Sequence, residues 1–214
     1  MGMRPDMRQL LLYIAGLLIL TLGVALTVQS HMGTGPFDAV LVGLTRTFGL
    51  TIGSWEIILG LIMVVSNALM SGKRPEYLGV LTALVTGLGI DMWLFIVADW
   101  LQPQWFISQL GVFSAGLLLS GLGTAIYLCA HFAPMPFDRL MLIIRQKSGW
   151  SVARARAVIQ IVCIILAFFL GGAIGLGTVL AACLSGLIIG YFMKVLKHDR
   201  PAVVAEQGTQ SVEM

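Results

Sequence analysis

The chain reads as an all-α integral membrane protein with six transmembrane helices. They form two inverted-topology three-helix repeats, each with an additional short helix after its first span. Three observations predict this. First, 58% of the 214 residues are hydrophobic and only 11% charged, with a mean hydropathy of +0.94. A typical soluble domain carries about 25% charged residues, so there is too little polar surface here to cover a soluble globule. Second, the chain repeats itself: Pro36-Phe37-Asp38 returns as Pro136-Phe137-Asp138, one hundred positions later. At the same offset Ala15-Gly16-Leu17-Leu18 matches Ala115-Gly116-Leu117-Leu118, His31 matches His131, and Gly49 matches Gly149. With a gap of one or two residues, Leu78-Gly79 aligns with Leu176-Gly177 and Gly87-Leu88 with Gly186-Leu187. Shared apolarity would scatter Leu and Ala matches, but it would not align His, Pro-Phe-Asp and glycines in one register.

Third, the basic residues are one-sided. With six spans and a cytoplasmic N-terminus, twelve of the 13 Lys and Arg residues fall inside and only Arg46 outside. This pattern orients the chain in its membrane with both termini cytoplasmic. Three spans per repeat is an odd number, so the repeats lie in opposite directions across the bilayer, as in many secondary transporters.

Residues 1–198 are expected to form a single membrane domain, with repeat one over about 7–100 and repeat two over about 107–198. The first span is about 10–28. Its basic start imitates a signal peptide, but its length and its counterpart at 110–130 argue for a retained helix. The segment 36–48 opens with proline at its first position and Asp38 in its first turn, both helix-start signals. Its 13 residues reach only about 20 Å, too short to span upright. Spans at about 54–70 and 77–98 follow, the latter ending among Trp93, Trp100 and Trp105 as an interfacial aromatic belt would. Repeat two restates this with about 108–130, a short helix at 136–148, about 155–171, a glycine turn, and about 176–193. Residues 199–214 are expected to be a disordered cytoplasmic tail.

The glycine motif Gly33-Thr34-Gly35-Pro36-Phe37-Asp38, the segment Gly149-Trp150-Ser151-Val152 and the run 170–178 resemble the YczE/YitT group of bacterial membrane proteins. The resemblance covers nearly the whole chain. It implies the fold and the membrane location but supplies no substrate. Ala133-Pro134-Met135 departs from the glycine-rich turn usual before the second Pro-x-Asp, and Gln160 stands where members often carry an acid.

Candidate substrate-binding or coupling residues are Asp38, Asp138, Asp91, Glu56, Gln29 and Gln160. The motifs Gly35-Pro36-Phe37 and Pro136-Phe137 would start short helices that present amides and carboxylates to a solute. The plainer alternative is that both aspartates cap helices lying along the membrane surface, for which Arg139, Arg145 and Lys147 suit the second. Asp91 sits in an apolar run, where an acid is expensive unless paired or hydrated, though it could lie near the outer interface. Glu56 is also explained by its place in a first helical turn, with Arg156 at the matching place in repeat two. Gln29, Asn67 and Gln160 could line a polar path or bond between helices. His31 and His131 could take up protons, or be interfacial. Gly16, Gly23, Gly116, Gly123, Gly186 and Gly190 are read as small faces for close helix packing.

Cys129, Cys163 and Cys183 lie in apolar runs without metal-like spacing, so neither a disulfide framework nor a metal site is expected. No cofactor, nucleic-acid partner or enzymatic activity is expected. The expected partners are the lipid bilayer, a small polar or ionic solute and, as an option, a second copy in a homodimer. The leading reading is a permease working by alternating access. The alternatives are a channel built from the two short half-helices and a non-transporting accessory or regulatory membrane protein.

Overall fold

The computed structural model describes residues 7–130, 132 and 134–198. His131 and the tail 199–214 lie outside the described residues. Within them the chain is all helical: α1 (Met7–Gln29), α2 (Pro36–Phe48), α3 (Ile52–Ser71), α4 (Tyr77–Val97), α5 (Phe106–Cys129), α6 (Pro136–Ser148), α7 (Val152–Phe169) and α8 (Leu176–His198). Five of these, namely α1, α3, α4, α5 and residues 176–196 of α8, are long and apolar enough to cross a membrane. This is a multi-pass membrane protein. α7, where a sixth span was expected, has 18 residues and carries Arg154 and Arg156 near its start. Outward-facing side chains such as Ile62, Leu69, Leu88, Phe95 and Leu187 remain exposed on the apolar helices, as a surface bathed in lipid requires.

Local chemistry sets the boundaries. Pro36 and Pro136 occupy the first positions of α2 and α6, where a missing N–H costs no helical bond. Thr51 and Ser151 cap α3 and α7, their hydroxyls accepting from the amides of Ser54 at 3.0 Å and Arg154 at 3.3 Å. Gly72 and Gly149 end α3 and α6 in the left-handed conformation.

α1 and α5 cross at the centre, backbone against backbone. A β-carbon on Gly16 would lie 2.6 Å from the Tyr127 amide nitrogen, and one on Gly116 would lie 2.8 Å from the Gly23 carbonyl oxygen. Gly16 faces Gly123 while Gly23 faces Gly116, so the two helices run in opposite directions. Around this crossing α4 packs on α1 and α8 on α5. α2 packs on α7 and α6 on α3, so each short helix rests on a helix of the other half. Exchanging the first four helices for the last four turns each of these pairs into another that is also present. One pair breaks the rule. α3 packs closely on α4, with Gly53 against Gly87 and Gly60 against Ala83, whereas α7 and α8 make no comparably extensive contact.

Three expectations change here. Gly186 and Gly190 do not form a packing face, because the space beside each is open. α2 does not lie along the surface: Ala39, Val40, Leu41 and Val42 are buried within the bundle. Trp93 is turned inward, its indole N–H donating to the Leu18 carbonyl at 3.0 Å, while Trp100 and Trp105 are exposed as a belt requires. Replacing Gly123 by Leu is expected to lower the unfolding free energy in detergent by about 3 kcal/mol, because the added side chain has only backbone to displace. Gly186→Ala should change it by less than about 1 kcal/mol. Equal melting behaviour of the two variants would remove the crossing as the element that holds the halves together.

Candidate functional site

α2 and α6 start inside the bundle, where Phe37 and Phe137 meet with ring centroids 5.0 Å apart. Beside this contact lies a cavity of about 170 Å³. Asp38, Asp138, Arg156 and Gln160 line it, together with Thr27, Ser120, Thr124 and Ser185. It extends between α7 and α8, the pair that stands apart.

The two aspartates hold equivalent places but differ in their surroundings. The Asp138 carboxylate accepts a hydrogen bond from the Tyr127 hydroxyl and lies close enough to Arg156 to be attracted by it. Asp38 accepts no hydrogen bond among the described residues. Two substitutions between the halves account for this. Thr27 stands where the other half has Tyr127, and its hydroxyl donates to the Val24 carbonyl of its own helix at 2.8 Å. Gly35 stands where the other half has Met135, and a β-carbon there would lie 2.6 Å from Asp38 Oδ2. The missing side chain is what lets the Asp38 carboxylate fold back over the start of α2.

A second matched pair has opposite signs. The Thr86 hydroxyl donates to Glu56 Oε1 at 3.3 Å across α3 and α4. At the hundred-residue offset the counterpart of Glu56 is Arg156, and in the register that aligns Gly87 with Gly186 the counterpart of Thr86 is Ser185. Arg156 Nη2 donates to Ser185 Oγ at 3.1 Å across α7 and α8. Glu56 is buried and close enough to Asp38 to repel it. Arg156 Nε is buried without a hydrogen-bond partner among the described residues. The space between α7 and α8 has a local cause. Where Gly60 lets Ala83 approach α3, α7 carries Gln160, and the long Arg156 replaces Glu56.

The remaining candidates lie elsewhere. Asp91 caps α3: Oδ2 accepts from the Thr51 hydroxyl at 2.6 Å and Oδ1 from the Gly53 amide at 2.8 Å. Gln29 donates to the Ala98 carbonyl at 3.4 Å on an exposed edge. His31 is exposed in the turn after α1, at a φ of 58°. Asn67 lies outside the cavity lining and bonds the Pro136 carbonyl at 2.9 Å, tying α3 to the start of α6.

The ends of the molecule are joined differently. The loop after α1 is bonded backbone to backbone with the loop before α8 and that helix's first turn, the Thr34 amide to the Ala173 carbonyl at 3.1 Å and the Gly177 amide to the Met32 carbonyl at 2.8 Å. At the opposite end, Arg139 pairs with Glu76 at 2.6 Å beside a small cleft of about 20 Å³.

Comparison with known proteins places residues 7–194 in DUF6198, a family of unknown function. The uncharacterised protein YyaS of Bacillus subtilis (strain 168) is 45% identical over 186 residues, covering 87% of this chain and 92% of the relative. The uncharacterised membrane protein YczE of the same organism is 36% identical over 180 residues, covering 84% and 82%. A third relative, from Haemophilus influenzae, is 33% identical and covers 83% and 80%. No solved structure matches. The resemblance to YczE read from the Gly-Pro-Phe-Asp motif thus extends over most of both chains.

Asp91 and Asp38 should separate experimentally. Asp91→Ala removes two charge-assisted bonds and is expected to cost about 2 kcal/mol of stability in a detergent melt. Asp38→Asn, which breaks no bond, should leave the melting point unchanged or raise it. A large loss from Asp38→Asn would make that carboxylate a structural group.

Proposed function

We propose that this chain, which belongs to the DUF6198 family, moves a small polar or ionic solute across the bacterial cytoplasmic membrane by alternating access. No chemical step is part of the reading. What carries it is one cavity that gathers Asp38 and Asp138 from two interrupted segments, beside α7 and α8 where they stand apart. The equivalent helices α3 and α4 are packed together.

In this reading α7 is the sixth span, the two halves have inverted topology, and both termini are cytoplasmic, as the basic residues argue. The antiparallel crossing of α1 and α5 and the exchange symmetry of the helix contacts support it. The backbone seal between Thr34 and Ala173 then lies toward the outside, and the Arg139–Glu76 pair toward the cytoplasm. A solute would enter between α7 and α8 and meet Asp38 near the middle of the bilayer. It would leave when α3 and α4 part and the outer seal opens. The Phe37 and Phe137 rings, in contact and tilted, occupy the place where the short helices meet, which favours a carrier over a continuous pore.

The test is side-specific labelling of Thr124→Cys in a chain whose three native cysteines have been replaced. A membrane-impermeant maleimide should reach the cavity from the cytoplasmic face in inside-out vesicles and from the outer face in right-side-out vesicles. Joining Thr34→Cys to Ala173→Cys with a short cross-linker should abolish the outer reaction and spare the inner one. Labelling from a single face whether or not the cross-link is present would overturn alternating access. Outer labelling that persists through the cross-link would instead favour a channel.

A further inference from the structure

We infer that the cavity binds a small zwitterion, its ammonium end against Asp38 and its carboxylate end against Arg156 and Ser185. The inference rests on reading this cavity as the solute site. It comes from counting which donors and acceptors the protein has already used.

At one end the cavity presents acceptors. The Thr27 hydroxyl donates to Val24 O at 2.8 Å, Ser120 to Leu117 O at 3.0 Å and Thr124 to Ser120 O at 2.7 Å. Each hydroxyl has spent its only proton on its own helix and has lone pairs left to offer. The Asp38 carboxylate takes no bond among the described residues, and an ionised carboxylate only accepts. That wall therefore calls for a donor, and an ammonium group brings three together with the opposite charge.

The α7–α8 wall is the reverse. Arg156 uses Nη2 on Ser185, and its buried Nε has no partner among the described residues. A guanidinium carries five donors and no acceptor, so it calls for an anion, and a carboxylate matches its fork. Gln160 on the same wall offers both an acceptor and donors.

The unused donors and acceptors on the two walls decide against simpler solutes. A lone cation would face Arg156, and a lone anion would face both Asp38 and Asp138. A zwitterion satisfies both ends and brings no net charge into an apolar surrounding, where unpaired charge is expensive. About 170 Å³ is the space of roughly five or six waters, which suits a compact solute such as a small amino acid.

The purified full chain would be titrated with alanine, serine and β-alanine, each beside ethylamine and propionate, reading thermal shift and then calorimetry. The expected result is a response to at least one zwitterion and to neither half-molecule, alone or mixed. Asp38→Asn should weaken that binding about tenfold, the order of one charge-assisted bond. Arg156→Gln should weaken the zwitterion to the level of ethylamine, so selection for the carboxylate is lost. If Arg156→Gln does not fold, Ser185→Ala provides a milder weakening of the same end. Ethylamine binding as well as the zwitterions in the wild-type protein, propionate binding alone, or no response to any zwitterion would each overturn the inference. The labelling experiment reports separately. A cavity reached from both faces that ignores zwitterions keeps the transporter and loses this ligand. One that binds zwitterions but is reached from one face keeps the ligand and loses transport.

Discussion

Interrupting a helix inside an apolar bundle leaves backbone amides and carbonyls without partners, and in hydrocarbon no water makes up the loss. The architecture follows from how those groups are satisfied. The break before α2 is closed by the loop before α8, through Thr34 with Ala173 and Met32 with Gly177. The break before α6 is held by Asn67, a side chain from α3 that reaches the Pro136 carbonyl. Each half thus holds the start of the other half's short helix in place. Neither short helix could start where it does in an isolated half, and both carboxylates would then lose the cavity they share.

That arrangement brings a cost and a use to one place. Asp38 sits over Gly35 with no hydrogen bond of its own, while Asp138 is held by Tyr127. A protein that needed only two helix starts could have satisfied both acids alike. Leaving one unpaired beside a cavity lowers stability and keeps a charge available to something that enters. The wedge of Arg156 and Gln160 on α7 has the same character, since it keeps open a seam that is shut between α3 and α4.

Much of this was legible in the residues. The hundred-residue offset located both short helices to the residue, because proline, glycine and aspartate are strong local signals that packing seldom overrides. Local signals could not say where a side chain points. Asp91 reads as an acid stranded in an apolar helix, and only the approach of α3 through Gly53 shows that its carboxylate serves as that helix's cap. Gly186 and Gly190 have the spacing of a packing face, but spacing does not reveal that bulkier α7 residues hold the neighbour away. The interfacial option for α2 stood because Pro-x-Asp starts a helix in any setting, so the motif carries no information about depth. The informative comparison was between unlike residues in the same register: Thr27 with Tyr127, Gly35 with Met135, Glu56 with Arg156. Each mismatch marks where one half closes and the other stays open.

The glycine crossing of α1 and α5 has a consequence for assembly. Gly16 meets Gly123 as Gly116 meets Gly23, so the surface α1 offers is the surface it receives. This is an isologous contact, of the kind two separate copies of one subunit make about a two-fold axis. The chain carries a dimer interface within itself. In such a contact the segment joining α4 to α5 raises the effective concentration of one part for the other.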